Sequence, residues 1–412
     1  MSVDAKMAWR NIWRNPRRTI ITVCAIAFAS LLLVFMLSFQ FGSYETMINT
    51  SVKIQTGHLQ VQAEEYQEKK NIRQVVPNPT AVAAILDKTP NVEAYSFRCQ
   101  TFSLISSEKR TYGVAVTGID PAGEAKVSRL KSLVGEGSFL SENDTNQALI
   151  GKLLARNLRV DLGDELTVLG QGRDGSIAAT VVQVKGIFSS GISEFDRIAV
   201  HIPLQLFQEV YSMQGAVHKI IVIADALRNI AAIKNAILAG LSSPELNKKL
   251  RVLDWDELMP GLRQSIEMDL VSGLIFYLLL VLVVAFSILN TFLMAIFERT
   301  REFGVLMAIG TTPGRLTKVL LLESMTLTAI GIAAGIIIGC LITLYFQTYG
   351  IDISGASELL NQFGITGRIY PKLSVLSAIS GPLAVWVITF FAALYPALKV
   401  RRLQPVEAMR TV

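Results

Sequence analysis

The sequence predicts an α-helical membrane protein with four transmembrane helices and a large α+β domain set between the first and the second. Three observations carry that expectation. Four apolar runs are each long enough to cross a bilayer core, which takes about 20 helical residues. Residues 44–268, between the first two runs, are too long for a loop and polar enough for a water-exposed domain. The composition, 51% hydrophobic and 17% charged over 412 residues, lies outside the usual range of soluble chains.

Residues 1–19 carry Lys6, Arg10, Arg14, Arg17 and Arg18, while Trp9, Ile12 and Trp13 share a face at helical spacing. This is a basic amphipathic segment expected on the inner membrane surface. Residues 20–43 form the first span. Its small-residue pattern Ala25–Ala29 mimics a signal-peptidase site, but the apolar run before it is short, so the span is expected to stay uncleaved. Within residues 44–268, alternation at His58–Gln62, a helix near Pro79–Leu86 and a strand after Pro90 make one β-α-β unit. Strand Lys219–Ile223, helix Leu227–Leu241 and strand Leu250–Leu253 make another. The stretch 100–215 between them reads as mainly β, with strands Tyr112–Thr117, Glu165–Leu169 and Ala178–Val184 and a short helix Lys152–Leu158.

Residues 269–298 are the second span. At 1.5 Å per residue, Leu270–Phe297 reaches about 42 Å against a core of ~30 Å, so part of it is expected to project as a stalk. Residues 299–315 form a bridge whose Arg299, Arg301 and Arg315, with Lys318 just beyond, place it in the cytoplasm by the positive-inside bias. Phe303, Leu306 and Met307 share one side of the bridge, which reads as a short amphipathic helix closed by Gly310. The third span, 316–346, carries Gly331, Gly335 and Gly339 four residues apart, a narrow face for packing within the chain or along a dimer seam. Residues 347–372 are an external loop, 373–398 the fourth span with Pro382 and Pro396, and 399–412 a basic cytoplasmic tail.

Several chemistries are excluded or left unsupported. The net charge of +6 gathers beside the spans without interleaved aromatics, so it indicates membrane orientation and no nucleic acid. Cys24 and Cys340 lie in apolar runs, which leaves Cys99 without an extramembrane partner. His58, His201 and His218 have no metal-ligand spacing, and no metal is expected. There is no phosphate-cradling G-x-x-x-x-G-K-[ST] run, and Gly191–Phe195 lacks the closing glycine of a nucleophile elbow, so the chain is expected to be non-catalytic. The first, third and fourth spans hold no charged residue of the kind an ion or proton path needs.

The run Arg301-Glu302-Phe303-Gly304, then Ala308-x-Gly310, then Glu323 near the start of the third span, resembles the signature of the FtsX-like permease family of ABC transporters. The resemblance is above all to lipoprotein-releasing LolC/LolE-type permeases. It extends to the four-span order and to the tail Pro396-Ala397…Pro405–Arg410. GIDP at 118–121, LIGKLLA at 149–155, VDLGDELTV at 160–168 and FDRIAVHI at 195–202 are similar to that family's insert. The resemblance implies that 44–99 and 216–268 form a porter-like part of an extracytoplasmic domain, and 100–215 a sabre-like part. It also implies that the bridge is a coupling helix docking on a separate ATPase dimer, with Arg301, Glu302, Phe303, Gly304, Gly310 and Glu323 at the coupling site. Glu302 would be the polar contact and Gly304 the place of close backbone approach.

ATP and Mg would then be bound by that partner, with no cofactor in this chain. A second permease chain, identical or related, membrane lipids and a periplasmic lipoprotein or lipid carrier complete the implied partners. The location would be the bacterial inner membrane, with the large domain on the periplasmic side. The implied function is mechanotransmission for extraction of lipoprotein or lipid from the outer leaflet; MacB-like export of a periplasmic substrate and FtsX-like signalling to cell-wall hydrolases are the alternatives. Phe35, Met36, Phe39, Phe276, Tyr277 and Leu280 are candidates for an acyl-chain site between two permease chains, or are lipid-facing or packing residues. One departure stands out: where LolC-type permeases carry a protruding hook for a carrier, Gly170–Ile177 reads as a tight turn or short loop.

Overall fold

The computed structural model describes residues 3–241, 250–352 and 368–400, which divide into two compact units. The first gathers residues 3–44, 265–352 and 368–400; the second gathers 45–241 and 250–264. The expected tail after residue 400 and most of the external loop lie outside the described residues.

The first unit starts with an N-terminal helix, Val3–Ile12. Pro16 then opens the first span, Pro16–Val52, in keeping with proline's tolerance at a helix start and its restriction of the preceding residue. The second span is Pro260–Glu298, the bridge helix Thr300–Ala308, the third span Pro313–Tyr349 and the fourth Val375–Val400. These four long helices are apolar enough to cross a membrane, and all four contribute to one core that includes Ile26, Leu33, Ile288, Leu327 and Val385. Gly331, Gly335 and Gly339 of the third span face the first. A Cβ at Gly335 would lie 2.5 Å from the Ala27 carbonyl oxygen, one at Gly331 2.7 Å from Ile26 Cβ, and one at Gly339 3.2 Å from Leu31 Cα. A side chain at Gly331 or Gly335 would clash and one at Gly339 would need its neighbours to give, so the two helices approach closely.

The second unit is built on one ten-stranded sheet. Its strands are β1 (Leu59–Ala63), β2 (Val92–Ser106), β3 (Thr111–Ile119), β4 (Val134–Gly137), β5 (Gln147–Gly151), β6 (Glu165–Gln171), β7 (Ile177–Phe188), β8 (Ala199–Pro203), β9 (Lys219–Ala224) and β10 (Leu250–Asp254). The order runs β10-β1-β9-β2-β3-β8-β5-β7-β4. The two terminal β-α-β units therefore interleave as β10-β1-β9-β2, every pair antiparallel, in a split β-α-β arrangement. Their helices, Pro79–Leu86 and Ile230–Leu241, put Val82, Leu86, Ile233 and Ile237 into the core.

Because β6 pairs with both β2 and β7, strands β2-β3-β8-β5-β7-β6 close into a ring. Its interior is filled by Ile105, Val114, Val168, Val182 and Val200 among others, as expected of a small barrel. The division expected near residue 100 falls inside the 15-residue strand β2. That strand pairs with β9 through Val92–Arg98 and with β6 through Leu104–Ser106, so the two parts share a strand and one continuous core.

This unit encloses one buried ion pair among the described residues, Arg98 with Glu124. Arg98 Nη2 and Nε donate to the two Glu124 carboxylate oxygens at 2.5 and 2.8 Å, with side chains 6% and 1% exposed. Burial opposes ionisation of Glu124, but the Arg98 guanidinium outweighs it and holds the carboxyl below the usual range. His58, His201 and His218 are each pushed down to about 4, chiefly by burial, and stay neutral. The carboxyls of Asp254, Asp256 and Glu257 come close enough together to suggest a metal. Lys234 Nζ already donates to Asp254 at 2.9 Å and Glu257 at 2.6 Å, which makes the cluster an ion pair.

Candidate functional site

The bridge helix is delimited by backbone chemistry. Arg299, at φ −109° and ψ 7°, interrupts the second span, and Gly310, at φ +102°, takes a conformation that side chains disfavour. Thr312 is extended and Pro313 restarts the helix. The apolar side of the bridge turns inward: Phe303 is buried with Ile296, Leu316, Leu320 and Val400, and Leu306 and Met307 pack against them. Arg301, Val305, Ala308, Ile309 and Gly310 are exposed, Ile309 at 78%.

The acidic residues of the motif, Glu302 and Glu323, are paired within the chain. Glu302 accepts two hydrogen bonds from Arg14, at 3.0 and 2.6 Å, and a third from Arg299 Nε at 3.3 Å. The Arg14 bonds, more than its partial burial, hold its carboxyl below the usual range. Arg299 also reaches Glu323 at 3.3 Å and lies 5.3 Å above the Phe303 ring. Arg18 pairs with Glu298 at 3.3 Å, and Asp4 with Arg315 at 2.9 Å. A polar cavity of about 160 Å³ lies among Asn11, Arg18, Arg299, Glu302 and Glu323. The N-terminal helix, the bridge and the start of the third span are thus one ion-paired corner.

Two family descriptions match the chain: "FtsX-like permease C-terminal" over residues 274–405 and "MacB-like periplasmic core domain" over residues 19–239, more than half of its length. The chain belongs to the FtsX-like permease family with a MacB-like periplasmic core domain. It is similar to the lipoprotein-releasing system transmembrane protein LolC of Xylella fastidiosa, 26% identical over 78% of each chain. It is also similar to LolE of Haemophilus influenzae, 21% identical over 79% of each. Among solved structures, the periplasmic region of MacB from Actinobacillus actinomycetemcomitans matches 52% of this chain and 94% of its own, at 14% identity and a TM-score of 0.38. The chain is an ABC transporter permease of the FtsX/MacB/LolC type and a multi-pass membrane protein.

Within this permease, one expectation about the site needs correction. Gly304, expected to let a partner's backbone approach, is buried inside the chain beside Phe303, because both belong to the inward face of the helix. The outward surface is made instead by Arg301, Val305, Ala308 and Ile309. The six candidates for an acyl-chain site are divided between the first and second spans. Phe35 stacks with Phe39 and meets Phe346 of the third span, while Tyr277 and Leu280 pack toward the core of the spans. Met36 and Phe276 are the two that stay exposed.

Two features escaped the sequence. Tyr44 donates to Asp269 at 2.5 Å and Tyr277 to Gln40 at 2.8 Å, a polar clasp between the first and second spans. On the outer face of the β2-β6-β7 part of the ring, Phe102, Leu104, Leu169, Ile177 and Val181 are exposed, Ile177 at 82%. Register places Leu104 opposite Leu169. A signal was available in Phe102–Ile105, where apolar residues fall on both faces of the alternation. The loop Gly172–Ser176 beside this face is a closed hairpin turn, with Asp174 accepting from Ser176 N at 3.0 Å and Gly175 at φ +92°.

Proposed function

We propose that this permease couples ATP hydrolysis by a separate ATPase dimer to movement outside the cytoplasm, and that its task is extraction of lipoprotein or lipid from the outer leaflet of the inner membrane. The observation that carries the reading is the bridge helix: an apolar surface, Val305 and Ile309, is presented outward on a helix whose other side is keyed to three neighbouring segments. A push on that surface would reach the first span through Arg14 and the third through Glu323. The helices of the first and second spans measure roughly 56 and 58 Å at 1.5 Å per residue, well beyond a core of ~30 Å, so each has the length of a rod. Lysine and arginine at the bridge favour the cytoplasmic side for it, which puts the inserted domain outside.

A second permease chain completes the assembly, and the relatives' lipoprotein-releasing names favour a lipid-modified cargo. The exposed face around Ile177 offers a carrier an apolar surface without a protruding hook. The test is to co-purify Val305→Glu/Ile309→Glu with the ATPase and to follow ATP-dependent cargo release. Loss of assembly and release with normal membrane insertion is expected. Unimpaired assembly and release would leave the bridge as a mere cap on a helical hairpin.

A further inference from the structure

The N-terminal helix and the turn that follows it expose residues that the ion-paired corner does not use. Ala8 and Ile12 are buried against the chain, while Trp9 and Trp13 point away from it, their rings 6.1 Å apart and edge to face. Lys6 and Arg10 of this helix and Arg17 at the start of the first span are exposed as well and have no acidic partner among the described residues, whereas Arg14 is taken by Glu302. A few residues further on, Ile20 and Ile21 of the first span are exposed as well. Along the chain the exposed residues therefore alternate cations with tryptophans, Lys6, Trp9, Arg10, Trp13 and Arg17, before the bare aliphatic side chains of Ile20 and Ile21.

We propose that this face is a binding site for anionic phospholipid, with Lys6, Arg10 and Arg17 on the phosphate headgroups and Trp9 and Trp13 at the level of the glycerol backbone. Cations alternating with tryptophans suit a segment lying in the plane of the interface, and the exposed surface continues into the apolar side of the first span. Whatever covers Ile20 and Ile21 also covers the tryptophans, and for a membrane span that is lipid. Free cations beside interfacial aromatics select negatively charged headgroups over zwitterionic ones. Since the same helix holds Arg315 through Asp4, and the segment following it holds Glu302 through Arg14, lipid bound here steadies the bridge from the membrane side. The inner-leaflet position rests on the orientation given under Proposed function; the headgroup preference does not.

The test is native mass spectrometry of the full chain in detergent, titrated with dioleoyl phosphatidylglycerol or dioleoyl phosphatidylcholine. Detergent exposes both ends of the protein, so the outcome is independent of sidedness, which an impermeant amine reagent at Lys6 in intact cells reports separately. The wild type is expected to retain phosphatidylglycerol in preference. Each cation lost should lower that preference about fivefold, so K6Q/R10Q/R17Q should weaken it by roughly 100-fold. W9A/W13A should lower retention of both lipids while keeping their ratio. An unchanged preference in K6Q/R10Q/R17Q would overturn the proposal. So would a triple variant that keeps its lipid but no longer co-purifies with the ATPase, because the face would then belong to a protein.

Discussion

Two sets of ion pairs in this permease, built from the same residue types, do opposite work. In the inserted domain Arg98 and Glu124 are sealed between β2 and the helix Pro121–Val127, with almost no exposed surface. At the bridge, Arg14 and Glu302 are 55% and 43% exposed, and each lies beside other charges able to exchange places with its partner. A sealed pair fixes one arrangement, since parting it strands a charge away from water. An open network costs little to rearrange, because water and neighbours compensate. The inserted domain is thus held in one arrangement, whereas the contacts of the corner can be remade at little cost.

The sharpest way to break this contrast is at Glu124. Glu124→Ala should leave the Arg98 guanidinium buried without its carboxylate, at a cost of about 3–5 kcal/mol. The readout is hydrogen-exchange protection of the β2 and β9 amides in the full-length protein. Arg98→Met combined with Glu124→Leu should recover most of the loss, short of the bond that Arg98 gives to the Gln55 carbonyl. If the single and double variants behave alike, the pair is not sealed and the contrast fails.

Acid provides the next largest effect. Each of the three buried histidines binds a proton near its ordinary 6.5 when unfolded, but only at about 4 when folded. Their neutral state therefore contributes stability that is complete above pH 6.5 and drains away as pH falls toward 4. For His218, protonation would also disturb Nδ1, which accepts from Gln100 N at 3.0 Å, and the ring stacked 5.1 Å from Tyr66. Unfolding followed from pH 8 to 4 should show the inserted domain losing protection over that window. His218→Gln should flatten the slope by up to about 1.4 kcal/mol per pH unit, one proton's share. A slope identical to wild type would place His218 in contact with solvent.

How far the sequence reached follows the same division. The four spans and the helices Pro79–Leu86 and Lys152–Leu158 were legible because apolar periodicity and proline or glycine punctuation are local signals. The bridge was legible as an amphipathic helix for the same reason. What covers its faces was not: Arg14 and Glu302 are 288 positions apart, and no spacing rule links residues so distant. Gly304 looked available because a glycine in a charged motif invites a close neighbour, yet its neighbour is its own chain. Ring closure between β2 and β6 was hidden likewise, since strand pairing across the sequence depends on packing and not on local pattern.

The smallest expected effect tests the open side of the contrast. Glu302→Gln keeps the size of the side chain but removes the charge that accepts from Arg14 and Arg299. At such exposure each pair is worth roughly 0.2–1 kcal/mol, and screening reduces it further. The melting temperature of the full-length protein should accordingly fall slightly in low salt and match wild type in about 1 M salt, where the Debye length is ~3 Å. In wild type, the same contribution is present above the ordinary glutamate range and disappears as pH falls through the depressed value of Glu302, so the two proteins should converge in acid as well. ATP-dependent release with the ATPase present should change far more than stability, because the network would be needed to move and not to hold. If Glu302→Gln instead destabilises the protein as much as Glu124→Ala and does so at every salt concentration, the bridge corner is as sealed as the domain interior, and a rearranging contact is the wrong description of it.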